Sequence, residues 1–332
     1  MNVMTNNSDL SLCMSVWLAH DDYANGADQF PGKNVISATS LLKPTRQLVL
    51  GNRVPMKERT VDVSDMIPSQ LGRAIHDSIE GAWTHGYQEA MLKLGYTQKV
   101  IDRVRINPET VEDGDLPVYL EQRFFKSITV DGVEIIISGK FDQIIMGELN
   151  DTKTTSVYAY INRSKEEDYR IQGSIYRWIS QDKVTSDIMR IQHVFTDWQR
   201  SMARASRDYP QERVVEFKVE MMNIKETENW MRLKVREIIA NQNLPEPEVI
   251  RCSDKDLWKS DPQYKFYADP AKATQGGRST KNFANYPAAA AHRNKAGKGV
   301  VITVPGQVKA CGYCPGFTEC TQKDEYPEND RS

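Results

Sequence analysis

The sequence lacks a long hydrophobic run, a strong excess of charge of either sign and any internal repeat. No run approaches the roughly 18 apolar residues that a membrane span needs, so we expect no membrane partner. The apolar stretch 10–19 lacks the basic flank of a secretory signal, and we therefore expect a cytoplasmic protein. The formal net charge is only -2, so a case for nucleic-acid binding has to rest on local features.

Cysteine is also scarce. The chain has 5 cysteines, an odd number, and three of them lie close together at Cys311, Cys314 and Cys320. This distribution does not fit a secreted disulfide framework, and it favours a metal site in a reducing compartment. Hydrophobic residues at 39% and charged residues at 27% are typical of a globular protein with a real core.

Hydrophobic periodicity predicts an α/β order of elements. Apolar positions at helical spacing predict helices over 69–94 and 165–180, a Ser or Thr cap predicts a short helix over 37–46 that Pro44 limits, and a charged segment predicts a long helix over 224–242. Strand-like runs predict strands over 118–130, 133–146, 147–153 and 184–198. The pair Asp131-Gly132 favours a tight hairpin turn between the first two strands. The order predicts a mixed β-sheet flanked by helices.

Two neighbouring strands of this predicted sheet carry paired carboxylates. Asp142 follows Gly139 on one strand, and Asp151 and Lys153 lie on the next. Residues i and i+2 of a strand point to the same face, so Asp151 and Lys153 can share one site while Thr152 presents its backbone carbonyl. Phosphodiester hydrolysis by a divalent metal needs converging carboxylates and a cation of this kind. A D-x-K triplet alone is weak evidence, because most such triplets are surface pairs.

The flanking helices supply two further motifs. Gly72 and His76 form G-x-x-x-H on the preceding helix, and Gln172 and Tyr176 form Q-x-x-x-Y on the following one. Four motifs thus stand in the order G-x-x-x-H, G-x-x-D, D-x-K-T and Q-x-x-x-Y. This order resembles the RecB-like branch of the PD-(D/E)XK nucleases, which includes the RecB and AddB nuclease domains, CRISPR-associated RecB-like exonucleases and many phage exonucleases. The resemblance covers roughly residues 36 to 200.

The resemblance implies a restriction-endonuclease-like core and a role for each motif residue. His76, Asp142, Asp151 and the Thr152 carbonyl would bind Mg2+ or Mn2+, and Lys153 would orient the attacking water and stabilise the developing charge. Gln172 and Tyr176 would position the lysine and the DNA strand.

Other interpretations of these helix residues remain open. His76 alone fits a satisfied helix histidine, Glu80 fits either a ligand or a solvated helix face, and Tyr176 fits a core position. The sequence also departs from the family in one place. The stretch 42–46 has no cysteine, whereas many family members with an iron-sulfur cluster carry one there.

The C-terminal cysteines predict a second metal centre. Cys311, Cys314 and Cys320 can share one ion or cluster, and Cys252 is the favoured fourth ligand over Cys13 and His292. Spacing cannot separate iron-sulfur from zinc, and the family resemblance favours iron-sulfur. Unliganded thiols are the alternative.

We therefore expect three regions: an N-terminal extension over 1–35, the nuclease core over 36–245, and a C-terminal basic arm with the cysteine-bound metal over 246–332. Between residues 271 and 310 there are seven Lys or Arg and no Asp or Glu, which fits either a phosphate-tracking surface or a solvated loop. The predicted function is a metal-dependent DNA exonuclease in phage or recombination-linked DNA processing, in the host cytoplasm if a phage encodes it. A nicking or structure-specific endonuclease and a non-catalytic DNA-binding scaffold are the alternatives. Expected partners are single- or double-stranded DNA and a recombination or single-strand-binding protein.

Overall fold

The computed structural model describes residues 3–21, 26–55, 60–163 and 165–326. Small parts of the predicted N-terminal extension (1–2 and 22–25) and of the predicted C-terminal arm (327–332) lie outside these ranges. The chain forms two compact units, one of Met1–Lys43 with Met56–Glu237 and the other of Pro44–Pro55 with Ile238–Ser332. The second unit thus starts eight residues before the predicted boundary at 246 and also includes an early segment, 44–55.

The helices and strands follow in chain order. Within the described residues the helices are α1 Leu12–Ala19, α2 Ala38–Leu41, α3 Thr45–Arg53, α4 Ile67–His85, α5 Tyr87–Lys93, α6 Gln98–Ile101, α7 Val157–Ile161, α8 Glu166–Ile179, α9 Arg200–Ala205, α10 Ile224–Asn241, α11 Pro270–Thr274 and α12 Tyr286–Ala296. The strands are β1 Val3–Thr5, β2 Asn34–Ser37, β3 Thr60–Asp62, β4 Val104–Ile106, β5 Leu116–Leu120, β6 Arg123–Val130, β7 Val133–Lys140, β8 Gln143–Ile145, β9 Glu148–Thr155, β10 Ile188–Phe195, β11 Val214–Glu220, β12 Gln263–Tyr267, β13 Lys281–Phe283 and β14 Val300–Val304. None of these helices is long and apolar enough to cross a membrane.

A six-stranded mixed sheet is the centre of the first unit. Its order is β11-β10-β9-β8-β5-β4, in which β9 and β10 are parallel and β10 and β11 antiparallel. Helix α4 contacts β9, and α8 contacts β7, β10 and β11. Alternate residues of β10 are buried, as expected for a strand covered by a helix on one face. The predicted α/β class with a mixed sheet and flanking helices is confirmed.

A three-stranded sheet, β2-β7-β6, accompanies the six-stranded one. Strands β6 and β7 form the predicted hairpin, and both turn residues, Asp131 and Gly132, have positive φ (51° and 82°), the pattern of a two-residue primed turn. The predictions of one strand over 118–130 and of one strand over 133–146 are both wrong. The first is divided into β5 and β6 at Glu121-Gln122 and the second into β7 and β8 at Phe141-Asp142, because the chain passes between the two sheets at these points.

Two predicted helices are each divided in two. Pro44 lacks an N–H and cannot continue a helix, so the predicted helix over 37–46 becomes α2 and α3, with Pro44 as the residue before α3. The predicted helix over 69–94 becomes α4 and α5, which are separated at Gly86. The motif residue His76 lies near the middle of α4.

Residues 3–21 of the predicted extension belong to the first unit. Strand β1 pairs with β3 in parallel, and the Leu18 side chain of α1 is fully buried. The side-chain amide of Gln70 on α4 donates from Nε2 to the carbonyls of Leu18 and His20. These hydrogen bonds hold the end of α1 against α4.

The second unit contains its own antiparallel sheet, β13-β12-β14, with α12 in contact with all three strands. The basic stretch 271–310 is therefore regular structure over much of its length and not the loop considered in one interpretation of the sequence. The His292 ring lies 4.8 Å from the Phe266 ring and 5.2 Å from the Phe283 ring, centre to centre. His292 is thus part of an aromatic cluster beside this sheet.

Candidate metal centre and active site

The site forms where the hairpin passes from the three-stranded to the six-stranded sheet. Both of its chain segments are interrupted at the same level, at Glu121-Gln122 and at Phe141-Asp142. The Glu121 amide donates to the Asp142 carbonyl at 2.8 Å, and the Phe141 amide donates to the Gln122 carbonyl at 3.2 Å. Glu121 has a positive φ of 51°, an uncommon conformation for a residue other than glycine. The two segments therefore stay hydrogen-bonded at the interruption, where both change direction. The acidic residues Glu121 and Asp142 lie at this point.

Three candidate ligand groups meet at this interruption. The Nδ1 atom of His76 lies 3.4 Å from Oδ2 of Asp142 and 3.5 Å from Oε1 of Glu121. Oδ2 of Asp142 also accepts a hydrogen bond from the Thr152 amide at 2.8 Å, which ties β9 to the interruption. Ligand atoms of His76, Glu121 and Asp142 all lie within 4.8 Å of one another, so this group can hold a metal ion.

The D-x-K motif lies on β9 as predicted from the alternation of side chains. Asp151 is 1% exposed, and its Oδ2 lies 2.5 Å from Nζ of Lys153. Thr152 lies between them, with its hydroxyl donating to Oε1 of Gln192 on β10 at 3.1 Å. That the Thr152 carbonyl binds metal stays a prediction.

Helix α8 brings its motif residues to the same carboxylate. Nε2 of Gln172 lies 3.4 Å from Oδ1 of Asp151 and donates to the Tyr176 hydroxyl at 2.9 Å. Gly139 on β7 allows this approach, because a Cβ there would lie 2.9 Å from a Tyr176 ring carbon. The structure thus brings all seven predicted active-site residues into one neighbourhood, while their catalytic roles stay predictions.

The charges of the site act on one another strongly because the groups are largely buried. Burial, together with repulsion from Asp151, raises the pKa of Asp142 to about 7, against the opposing effects of Lys153 and His76. A hydrogen bond with Glu121 raises the pKa of His76, although burial opposes it. Burial would lower the pKa of Lys153, but the two aspartates outweigh it and raise that pKa. The lysine is therefore a protonated donor.

The donor set fits a hard divalent cation. It offers the buried Asp151, the partly buried Asp142, a glutamate and an imidazole nitrogen, ligand types that Mg2+ and Mn2+ accept. The raised pKa of Asp142 means that the site disfavours two adjacent carboxylate charges in the absence of a compensating cation. A bound cation would remove this penalty, and we conclude that the residues present fit such an ion.

Glu121 is the candidate ligand that the motifs did not identify. A signal for it exists in the sequence: continuing the register of a two-residue turn at Asp131-Gly132 places residue 121 opposite residue 142, and the observed pairs on either side follow this register. Lys140 lies two residues before Asp142 in the chain, and its Nζ contacts Oε2 of Glu121 at 2.6 Å. Glu80, the alternative considered on α4, is outside the group of ligand atoms found among the described residues.

We expect Glu121→Gln to weaken Mn2+ binding by about 10-fold or more, because the variant loses a carboxylate but keeps its size. Titration calorimetry with Mn2+ alone measures this directly. Glu80→Gln is the matched control and should leave the affinity unchanged. Equal Mn2+ affinities of wild type and Glu121→Gln would show that Glu121 is not a metal ligand.

Four of the five cysteines line one cavity of the second unit: Cys252, Cys311, Cys314 and Cys320. No three of their sulfurs lie within 4.8 Å of one another, because the sole group that meets this limit among the described residues is the one at His76. Burial raises the pKa of the Cys252 thiol to about 12. Cys13 belongs to the first unit and is exposed.

Two buried polar side chains organise this cavity. Gln322 exchanges hydrogen bonds with the backbone of Cys252, its Oε1 accepting from the amide and its Nε2 donating to the carbonyl, both at 2.9 Å. Arg46 on α3 donates from Nε to Sγ of Cys320 at 3.2 Å and from Nη1 to the Val249 carbonyl at 2.7 Å, and it pairs with Glu246. The early segment 44–55 therefore belongs to the surroundings of the cysteines.

No family of protein sequences matches the chain, and no curated protein does. Among solved structures, that of SSO0001 is similar at 13% identity and a TM-score of 0.38, over 67% of this chain and 81% of that one. A phage related exonuclease from Haemophilus somnus 129PT is similar at 12% identity and a TM-score of 0.30, over 72% of this chain and 96% of that one. Both TM-scores are too low to establish a shared fold.

The fold and site define a mixed α/β protein with a His-Glu-Asp group suited to a divalent cation. Beside this group lie a lysine and a further aspartate, both on β9.

Proposed function

We propose that the protein is a DNA nuclease that uses Mg2+ or Mn2+ to hydrolyse phosphodiester bonds and that it acts as an exonuclease. The observation that carries the proposal is the convergence of Asp142, Asp151, Lys153 and His76 from three separate elements. A structural ion pair on a surface needs neither the second carboxylate nor the histidine. The order of motifs that resembles RecB-like PD-(D/E)XK nucleases is the second support.

His76, Asp142, Asp151 and the Thr152 carbonyl would hold the metal, with Glu121 as a further ligand. When bound, the metal would supply Lewis-acid stabilisation of the phosphate and lower the pKa of a nearby water. Lys153 donates hydrogen bonds to the water or the phosphate, because its pKa is raised and it does not act as a base. Gln172 orients Asp151 and is itself oriented by the Tyr176 hydroxyl.

The basic stretch 271–310 supports DNA as the substrate. All six of its Lys and Arg side chains from 272 to 298 are exposed, and the stretch contains no acidic residue. Such a surface attracts a phosphate backbone irrespective of sequence. We place the protein in phage or recombination-linked DNA processing, with a recombination or single-strand-binding protein as partner and the cytoplasm as its compartment.

A linear and a covalently closed DNA of the same sequence test the exonuclease assignment. The proposal predicts loss of the linear DNA while the closed circle survives. Rapid nicking or linearisation of the circle by the purified protein would contradict the exonuclease assignment. It would indicate an endonuclease that uses the same site.

We also propose that Cys252, Cys311, Cys314 and Cys320 bind one metal centre with a structural role. The shared cavity supports this, as does the Arg46 hydrogen bond to Cys320, because a buried cation favours thiolate ligands. The family resemblance favours iron-sulfur, whereas a cavity of about 30 Å³ is closer in size to a single zinc ion. Gathering ligands from segments about sixty residues apart would turn metal binding into folding stability.

Cys252→Ser is therefore expected to remove the metal and to lower the melting temperature, because a tetrahedral ion or a cubane cluster loses its fourth ligand. Elemental analysis and absorption spectroscopy of anaerobically purified protein measure the first effect and calorimetry the second. Cys13→Ser, the matched control, should retain the full metal content. Wild-type protein that contains neither stoichiometric iron nor zinc would contradict the proposal.

A further inference from the structure

A cavity of about 170 Å³ lies beside the candidate active site in the first unit. Four rings from four elements line it: Tyr160 of α7, Tyr169 of α8, His193 of β10 and Phe217 of β11. None of these residues takes part in the site described above.

The rings form a continuous aromatic lining around His193. The His193 ring is stacked on Phe217 at 5.2 Å and meets Tyr160 edge-on at 5.2 Å and Tyr169 edge-on at 5.9 Å, centre to centre. Burial and the nearby Lys153 lower the pKa of His193 to about 4, so the imidazole is neutral. The lining thus offers uncharged ring faces and edges, which suit a flat aromatic ligand.

The cavity lies close to the lysine of the site, although Lys153 is not one of its lining residues. Nζ of Lys153 lies 5.7 Å from the centre of the Tyr169 ring, and His193 is the residue paired with Lys153 across β9 and β10. Thr155, which also lines the cavity, lies two residues beyond Lys153 on the same face of β9, about 7 Å away. A nucleotide whose phosphate lies at Lys153 can therefore reach the cavity with its own base or the adjacent one.

Three of the residues that line the cavity are cationic. Arg163, Lys165 and Lys218 line the cavity and are exposed, as is one acidic residue, Glu166. Lys165 pairs with Asp168 at 3.1 Å. Arg163 and Lys218 form no ion pair with any residue in the described part of the chain. Both are thus available to a phosphate.

Size limits the ligand to one ring system. A protein cavity of about 150 Å³ accepts a single benzene ring, so one of about 170 Å³ accommodates one base and excludes a base pair. Aromatic faces that stack on a base, together with cations that contact its backbone, are the usual features of single-strand recognition.

We propose that this cavity receives one unpaired nucleobase of the DNA strand beside the scissile phosphate, with its backbone toward Arg163 and Lys218. The inference rests on the proposed nuclease function and narrows its substrate to a strand with an unpaired end. A free mononucleotide offers the same base and phosphate groups, so binding of a mononucleotide has to be compared with binding of the strand end.

Binding without cleavage tests the proposal. The full-length protein in EDTA is titrated with a short single strand that carries 2-aminopurine as its terminal base, and with the same strand ending in an abasic site. We expect fluorescence quenching on binding and about 10-fold weaker binding of the abasic strand. Phe217→Ala should lose the quenching and bind both strands equally weakly. Arg163→Ala changes an exposed side chain and should weaken the binding of both strands alike, whereas Lys225→Ala should match wild type. Circular dichroism checks that each variant is folded.

The outcomes separate the inference from the proposed function. If wild type cleaves DNA with Mg2+ but binds the normal and abasic strands equally, the cavity proposal is wrong and the nuclease stands. If binding depends on the terminal base but no DNA is cleaved, the proposed function is wrong while the cavity proposal is supported. If free deoxyadenosine monophosphate binds as tightly as the strand end, the assignment to the DNA strand is overturned.

Discussion

Asp151→Asn is expected to lower the rate of DNA cleavage by about 100-fold or more without unfolding the protein. Asp151 is 1% exposed, contacts Lys153 at 2.5 Å and lies within reach of the Gln172 amide. Asparagine keeps the size of the side chain and an oxygen for Gln172, but it removes the charge that would bind the metal and hold the lysine. Lys153→Ala should cause a loss of similar size.

Single-turnover cleavage of linear DNA measures the rate, and circular dichroism reports the fold. Asp182→Asn is the matched control, because it makes the same chemical change at an exposed side chain and should retain the wild-type rate. A folded Asp151→Asn variant that cuts within a few-fold of wild type would remove Asp151 from the active site.

Asp142→Asn should separate stability from activity. We expect it to abolish cleavage, because the metal loses a ligand, and yet to raise the free energy of unfolding of the metal-free protein at pH 8 by about 1 to 3 kcal/mol. Burial and Asp151 raise the pKa of Asp142 from 3.8 to about 7. Between these values the folded protein holds a proton that the unfolded chain releases, so wild-type stability falls as pH rises. Asparagine does not ionise and avoids this loss, and its oxygen can still accept from the Thr152 amide.

Urea unfolding in EDTA at pH 5 and pH 8 measures the effect, which should be larger at pH 8. Mg2+ at about 100 times its dissociation constant should stabilise wild type by roughly 2.7 kcal/mol and the variant much less. Asp62→Asn is a control of opposite sign, because hydrogen bonds from Asn7 and Ser64 hold the pKa of Asp62 well below its usual range. If Asp142→Asn is less stable than wild type at pH 8, the charge of Asp142 is not destabilised by burial and by Asp151 in the metal-free protein.

The predicted neighbourhood of the active site depends on short-range regularities of the sequence. Strand alternation places Asp151 and Lys153 on one face, helical spacing places Gln172 and Tyr176 on one face, and a short connection brings Asp142 beside them. Each of these rules acts within about ten residues. That the separate motifs form one site was predicted from the resemblance to RecB-like nucleases, because it depends on contacts between elements distant in the sequence.

Features that depend on distant pairing were not predictable in the same way. The register of the hairpin places Glu121 opposite Asp142, but a strand pattern does not reveal that the chain changes sheets there and that both carboxylates meet His76. Arg46 contacts Cys320 across 274 positions of sequence, which no local periodicity indicates. The aromatic cavity combines single rings from four elements, each of which alone is an ordinary core residue.

Metal-dependent cleavage at Asp151 can be measured by incubating purified wild-type protein and Asp151→Asn with end-labelled linear DNA, in Mg2+, in Mn2+ and in EDTA, and following acid-soluble nucleotides over time. We predict release by wild type with either metal, none in EDTA and at least about 100-fold less by Asp151→Asn. Release by wild type that persists in EDTA, equal release by both proteins, or no release by wild type under any condition would show that the protein is not a metal-dependent nuclease with this active site.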